Sequence, residues 1–341
     1  MIGELNKIFD RDFVIGYFMP ALAFLAATIG ILALYGMLPT WLSFSQTDAL
    51  KETTFIALFS WIGGVTLMAL NREIFRLMEG YWYLRSYIPL THLERWRFRR
   101  LHGKVSNLQA QYQQWPGDAA SFPHVEKLIE LKREAAYRFP SEEGLILPSS
   151  FGNTVRAFED YPREVYGFES IQGWFRLLAV VSKDYRELVN SARATTDFWV
   201  NLWFASLLLL AEYAAIALWQ WESKVPWLVV VCPLVAMFAY WRARSSAERW
   251  GEWVKASFDV FLPELCKKLG LALPPTWDKQ RELWHSFSQA MIYRDAGSRA
   301  RLTAFLEKPH HDSSDGKAPA QVPAAPPVIN QAISVSIQSD D

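Results

Sequence analysis

A single carboxylate, Glu212, lies inside the apolar run LLLLAEYAAIALW. An ionisable side chain inside a membrane span marks a candidate functional site, because an ionised group is costly there. Glu212 would bind an ion, relay a proton or pair with polar groups of the bundle. It lies roughly 10 Å from the outer end of its span at 1.5 Å per residue, and no intramembrane Lys, Arg or second acid accompanies it. Packing through a hydrogen bond to Thr28, Ser60 or Tyr213 is therefore the favoured interpretation, and an ion path is the alternative.

The densest polar pattern is PSSFGNTVRAFEDYPREVYGFESIQGW, which begins at Pro148. In a helix starting at Ser149-Ser150, turning by about 100° per residue, apolar and polar side chains separate onto opposite faces. Pro162 is predicted to end this helix before a turn. The polar residues that form the candidate interaction surface are Asn153, Arg156, Glu159, Asp160 and Tyr161. Arg156 and Glu159, spaced i, i+3, are expected to pair. This stripe would bind a ligand, a partner or the other cytoplasmic helices; the favoured alternative is an amphipathic helix whose stripe faces water.

A second candidate surface is the run RWRFRR, whose cations are Arg95, Arg97, Arg99 and Arg100. Juxtamembrane clusters of Arg and Lys bind anionic lipid head groups, so the run would bind lipid or an acidic partner. A solvated helix face explains it equally well, because the aromatic residues alternate with the cations and do not share one side.

The sequence lacks the residue patterns that other kinds of functional site require. The six histidines have no Cys or carboxylate at zinc-ligand spacing, so neither a metal nor a cofactor is expected. The chain has no glycine-rich phosphate loop, GxSxG motif or Cys–His pairing, which disfavours an enzyme. Its zero net charge argues against nucleic acid as a partner. Its two cysteines do not suggest a disulfide framework.

Membrane spans must position the remaining candidates. A span needs about 20 apolar residues, and segments 13–35 and 198–219 reach this length. Segment 54–70 is short but can include flanking residues, and 225–240 is also predicted to be a span. The first is predicted to be retained, because its core of about 23 residues exceeds the roughly 7–15 of a signal peptide. The third along the chain, 198–219, tolerates Glu212, because its apolar residues offset the cost of one carboxylate, roughly 3 kcal/mol. Ala26-xxx-Gly30 and Gly63-Gly64 are predicted to allow close helix packing within the chain.

Lysine and arginine are distributed asymmetrically around these spans. The short connections between spans contain only Lys51 and Lys224, whereas the other flanks contain Arg72, Arg76, Arg85, Lys183, Arg186, Arg193, Arg242, Arg244 and Arg249. The positive-inside rule therefore predicts that residues 1–12, 71–197 and 241–341 are cytoplasmic.

The cytoplasmic segments are predicted to be helical. In 71–197 the expected helices are 72–85, 91–114 with a Thr91–Glu94 capping box, 123–139, the stripe helix, and an extension of the third span back to Ser182. In 241–307 they are 241–258 as an extension of the fourth span, 263–270 between Pro263 and Gly270, and 274–293. Residues 308–341, rich in Pro, Ala, Ser and Asp, are predicted to be disordered.

The stripe helix and its surroundings resemble uncharacterised bacterial multi-pass membrane proteins. The shared pattern is Leu-Pro-x-x-x-Gly-Asn, then Arg-Ala-x-Glu, Tyr-Pro and Tyr-Gly. Here its residues are Leu147, Pro148, Gly152, Asn153, Arg156, Ala157, Glu159, Tyr161, Pro162, Tyr166 and Gly167. The run YWRARSSAERWGEWVKASFDVF, from Tyr240, is similar to the region after their last span. The resemblance implies a bacterial inner-membrane location and brings no activity with it.

The sequence as a whole predicts an all-α membrane protein with four transmembrane helices, helical cytoplasmic extensions and a disordered C-terminal tail. The favoured function is a membrane-anchored interaction, scaffold or sensor component that contacts the lipid bilayer and meets a protein partner, or itself, through cytoplasmic helices. The alternative is a channel or transporter subunit with Glu212 in an ion path.

Overall fold

The computed structural model describes residues 10–38, 49–81, 88–117, 122–221 and 223–306. The tail 308–341, most of segment 1–12 and the end of the predicted 72–85 helix lie outside these residues. The described helices are α1 (Arg11–Leu34), α2 (Ala49–Glu79), α3 (Ile88–Gln113), α4 (Val125–Arg138), α5 (Ser150–Tyr166), α6 (Ser170–Leu177), α7 (Lys183–Gln220), α8 (Leu228–Lys268), α9 (Trp277–Tyr293) and α10 (Ala296–Thr303). The predicted all-α fold is confirmed.

Four helices, α1, α2, α7 and α8, are long and apolar enough to cross a membrane. The most apolar window in each has a mean hydropathy between 1.3 and 2.0, yet only 11–28% of each window is buried within the protein. Large apolar side chains such as Leu58 and Met237 therefore remain on the outside of the helices. Exposing them to water would cost about 25 cal/mol per Å² of apolar surface, a cost that lipid contact removes. The chain is a multi-pass membrane protein whose apolar helices contact the bilayer.

Small residues bring the spans together where the sequence predicted close packing, but only in part. α1 packs against both α2 and α7. A Cβ added at Gly64 would lie 3.1 Å from the Phe13 ring, and one at Gly63 would lie 3.2 Å from Ala21, so both glycines allow α1 to approach α2. Gly30 has no neighbour within 4 Å of such a Cβ, so its spacing to Ala26 marks no tight contact among the described residues.

The helices that leave the bilayer are longer than a span requires. α7 begins after Ser182, whose hydroxyl accepts a hydrogen bond from the Tyr185 backbone N–H at 3.3 Å. It then continues without interruption into the third span, as predicted. α2 ends at Glu79, earlier than the predicted Arg85, because Gly80 adopts φ +89° and turns the chain.

Two prolines lie inside helices that they were predicted to bound. Pro162 is within α5, and the helix ends only at Gly167, where φ is +73° and the Phe168 N–H reaches back to the Pro162 carbonyl at 3.0 Å. Pro263 likewise does not open a helix, because α8 runs through it to Lys268. Both predictions were wrong, because a proline removes one backbone hydrogen bond, which the rest of a well-packed helix outweighs.

The chain divides into two compact units. The first comprises Met1–Tyr161 and Val181–Asp259, and includes a core of Phe98, Leu131 and Phe139 between α3 and α4. The second comprises Pro162–Val180 and Val260–Asp341, and contains α6, α9 and α10. In the second unit the buried rings of Phe168, Trp284 and Phe287 pack together, with centroids 5.3–5.9 Å apart.

Candidate functional site

Asn153, the first residue of the predicted stripe, is fully buried at the start of α5. Its side-chain oxygen accepts a hydrogen bond from the Leu147 N–H at 2.7 Å, and its amide nitrogen donates to the Leu147 carbonyl at 3.1 Å. The same nitrogen donates to Glu94 Oε2 on α3 at 3.2 Å. An amide suits this position because it carries a donor and an acceptor side by side. Asn153 thus joins α5 to the preceding segment and to α3.

Arg156 and Glu159 form the predicted i, i+3 ion pair, with Nη1 of Arg156 at 3.4 Å from Oε2 of Glu159. Arg156 also donates to the Tyr81 hydroxyl, and its guanidinium lies 6.0 Å from the centre of that ring. Burial raises the pKa of Glu159, and the positive charge of Arg156 opposes that rise. Burial likewise raises the pKa of Tyr81, and the positive charge of Arg156 opposes that rise too. The pair therefore lies against the chain that follows α2.

Close backbone contact at the start of α5 explains the Pro-x-x-x-Gly pattern. A Cβ at Gly152 would lie 2.6 Å from the Glu79 carbonyl oxygen, so only glycine allows α5 to reach the end of α2. The ring of Pro148 lies 3.2–3.3 Å from where Gly80 would carry a Cβ. These residues contribute packing, which accounts for their spacing without any ligand.

The end of the stripe is also held from within the first unit. Asp160 is buried, and its Oδ2 accepts hydrogen bonds from the Ser141 hydroxyl at 2.6 Å and the Ser141 N–H at 3.3 Å. The Tyr161 hydroxyl donates to Asp259 Oδ1 on α8 at 2.9 Å. The expectation that the stripe faces water is therefore wrong for Asn153 and Asp160, which contact other segments outside the predicted spans. We call Asn153, Arg156, Glu159, Asp160 and Tyr161 the α5 junction.

The basic run occupies two sides of α3. Phe98 is buried and packs edge-on against Phe139 at 5.7 Å, whereas Trp96 is 54% exposed. Arg97 pairs with Glu94 at 2.6 Å, and Arg99 forms a two-pronged pair with Glu143 at 2.6–3.1 Å.

The exposed side of α3 is defined by helical spacing. Leu93, Trp96, Arg97 and Arg100 are related as i, i+3, i+4 and i+7, so they lie on one face of the helix, and all four are exposed. The Arg100 guanidinium stacks on the Trp96 ring at 5.3 Å. We call these four residues the α3 face. Arg95 is partly buried, and its Nε has no hydrogen-bond partner among the described residues.

Glu212 is paired across the bundle. Its Oε2 accepts a hydrogen bond from the Thr28 hydroxyl at 2.7 Å, which links α7 to α1. Of the other partners considered, Tyr213 bonds instead to the Ser223 hydroxyl at 2.6 Å, and the buried Ser60 hydroxyl has no partner in the part of the chain that the structure describes. Thr28 is one of the partners that the sequence analysis considered for Glu212, and the choice between packing and an ion path stays a prediction.

A buried polar group that the sequence analysis missed lies at one edge of the predicted spans. Asp197 accepts hydrogen bonds from the Tyr17 hydroxyl at 2.8 Å and from the Asn71 amide at 3.3 Å. Asn201, one turn further along α7, donates to the Gly16 carbonyl at 2.9 Å. We call Tyr17, Asn71, Asp197 and Asn201 the Asp197 cluster. The i, i+4 spacing of Asp197 and Asn201 was the available signal, but their partners are distant in sequence.

No family model, curated protein or solved structure matches this chain. Among the described residues, no three His, Cys, Asp or Glu side chains are placed to hold a metal ion. Fold and spans thus define the class, an all-α multi-pass membrane protein, and the candidate sites rest on their own geometry.

Proposed function

We propose that this protein is a membrane-anchored interaction component, a scaffold or sensor subunit of a bacterial inner membrane. The observation that carries the proposal is the α3 face, where a half-exposed tryptophan supports the guanidinium of Arg100 at 5.3 Å. Tryptophan and arginine are the residue types that most often dominate the energy of protein interfaces. The α5 junction supports the same proposal, because its side chains hold the helices around it and so position α3.

The partner on the α3 face would be an acidic protein segment. Arg97 and Arg99 already have carboxylate partners within the chain, Glu94 and Glu143. Arg100 forms no ion pair with the described residues. Its stacking on Trp96 leaves its N–H groups free to form a bidentate pair with a carboxylate, through two parallel hydrogen bonds. Leu93 adds exposed apolar surface beside them. Charge and shape thus favour an acidic segment that also carries an apolar side chain.

We further propose that the α3 face is cytoplasmic. The distribution of Lys and Arg around the spans supports this orientation, with residues 1–12, 71–197 and 241–341 on the inner side. The resemblance to bacterial multi-pass proteins supports the inner membrane as the location.

Cross-linking and co-purification from membranes test the proposal. The double variant Trp96→Ala/Arg100→Glu should lose its co-purifying acidic partner, because interface residues of this kind contribute about 2 kcal/mol or more, roughly 30-fold in affinity. Arg133→Glu, an equal charge change at an exposed position of α4, is the matched control and should retain the partner. An unchanged set of proteins with the double variant would overturn the proposal. A loss of bound anionic phospholipid alone would assign the face to lipid and overturn it as well.

A channel or transporter subunit is the second candidate function. Asp197 favours it, because it supplies a buried acid at the edge of the spans in addition to the partly exposed Glu212. Ion flux into proteoliposomes should then fall when Glu212→Gln is introduced. Equal flux through the variant and the wild type would reject this candidate.

A further inference from the structure

The Asp197 cluster contains two buried oxygens that lack hydrogen-bond donors. Asn71 is 7% exposed and Asn201 is 0% exposed, and the Oδ1 atom of each has no donor among the described residues. The assignment of these atoms is fixed by their neighbours. The nitrogen of Asn71 must face the Asp197 carboxylate, and the nitrogen of Asn201 must face the Gly16 carbonyl, because both of those groups only accept. Each amide nitrogen is thereby used, and each amide oxygen retains its capacity to accept a hydrogen bond or to bind a cation.

Three further observations describe the surroundings of these oxygens. Asp197 is 4% exposed, and Asn201 follows it by one helical turn, so the two side chains are neighbours on α7. Gly16 packs against the same turn, since a Cβ there would lie 3.3 Å from the Asp197 Cβ. The backbone around Gly16 is a π-helical turn, Val14–Phe18, a feature that is frequent at functional sites.

The charges of the cluster are compatible with one added positive charge. The nearest cation is Arg193, whose Nε lies 3.9 Å from Asp197 Oδ2 and whose side chain is 54% exposed. Its charge is therefore shared with solvent, whereas the carboxylate is not.

We propose that the Asp197 cluster binds a small monovalent cation, Na⁺, between α1, α2 and α7. Its ligands would be the carboxylate of Asp197 and the side-chain oxygens of Asn71 and Asn201. Oxygen ligands are those that hard cations prefer, and a single carboxylate balances a single positive charge. Bound Na⁺ would tie α2 to α7 at the edge of the spans, beside the Gly16 turn of α1. This inference is independent of the α3 face and of its partner.

The test measures thermal unfolding of the full-length protein in detergent micelles by tryptophan fluorescence. NaCl replaces choline chloride at constant ionic strength, because choline is too large for a buried site. A ligand that binds only the folded state stabilises it, so the unfolding midpoint should rise with the logarithm of the Na⁺ concentration above the Kd, by on the order of 5 °C at about 100 times the Kd. An identical midpoint in NaCl and in choline chloride would overturn the proposal.

Two variants test the ligands separately. Asp197→Asn should abolish the Na⁺-dependent rise. Asn201→Ala keeps the carboxylate, and it provides a second test in case Asp197→Asn does not fold. It should require at least 10-fold more Na⁺ than the wild type for the same rise in unfolding midpoint. Asn190→Ala, at an exposed position of the same helix, is the control and should respond like the wild type. A rise of the same size at the same Na⁺ concentration in Asn201→Ala would contradict the assignment.

Discussion

Replacing Asn153 by alanine should destabilise the first unit more than any surface change. The substitution removes three hydrogen bonds and leaves the Leu147 N–H, the Leu147 carbonyl and one Glu94 oxygen without partners. Leu147 and Glu94 are both buried, so water does not readily replace the amide. A buried polar group left unsatisfied costs about 1–3 kcal/mol. Three such groups sum to about 3–9 kcal/mol. We expect a loss in the lower part of that range, about 3–5 kcal/mol, because single substitutions rarely cost more.

The loss is measured as the change in the free energy of unfolding of the purified protein in detergent, followed by tryptophan fluorescence. Asn107→Ala, at an exposed position of α3, is the control and should change stability by less than about 0.5 kcal/mol. Asn153→Asp should be at least as damaging as Asn153→Ala at neutral pH, because it places a second carboxylate against Glu94. Adding Glu94→Gln to Asn153→Asp should recover part of the loss, since the new amide donates to the new carboxylate. A loss below about 1 kcal/mol for Asn153→Ala would refute the junction as described.

Three further substitutions test the same region. Gly152→Ala should destabilise the protein, because its Cβ would lie 2.6 Å from the last carbonyl oxygen of α2. Gly103→Ala, whose Cβ would meet nothing within 4 Å, is the control and should stabilise the protein by up to about 1 kcal/mol. Opposite or equal shifts in the unfolding midpoints of these two variants would contradict the prediction. Burial raises the pKa of Glu159 above its ordinary 4.5. The protonated Glu159 therefore contributes its full share to the free energy of unfolding below pH 4.5, and this share is lost as the pH rises through the folded-state pKa. The stability of the wild type relative to Glu159→Gln should therefore decline as pH rises above 4.5, and a flat difference in a pH series of unfolding would count against it. Tyr161→Phe loses one hydrogen bond to α8 and should cost about 0.5–1.5 kcal/mol, whereas Tyr293→Phe, an exposed control, should cost less when measured in the same way.

The architecture was predictable because its signals are local. Apolar runs of span length, the flanking cations and the Ser182 cap each act within a few residues, so the all-α fold and the long α7 could be derived from sequence. Pro162 and Pro263 were misinterpreted for the complementary reason. A proline lowers helix stability locally, by about 3 kcal/mol, but packing along the whole helix decides whether it continues.

The candidate sites were only partly predictable. Helical periodicity grouped Asn153, Arg156 and Asp160 onto one side, but it does not reveal what that side contacts. The bond from Asn153 to Glu94 spans 59 residues, and the bond from Tyr17 to Asp197 spans 180. Such pairs depend on how distant helices pack, and one sequence carries no record of that packing. Glu212 was found because a charge inside an apolar run is visible without its partner.

The central claim is that the chain crosses the bilayer four times and holds α3 on the inner side. Cys232 and Cys266 are buried and can be replaced to give a background without cysteine. Single cysteines are then placed by Gln220→Cys, at the end of α7, and by Lys104→Cys, on exposed α3, and a membrane-impermeant maleimide is applied to spheroplasts. We expect labelling at position 220 in intact spheroplasts and at position 104 only after permeabilisation. Labelling of position 104 in intact spheroplasts would contradict the proposed threading.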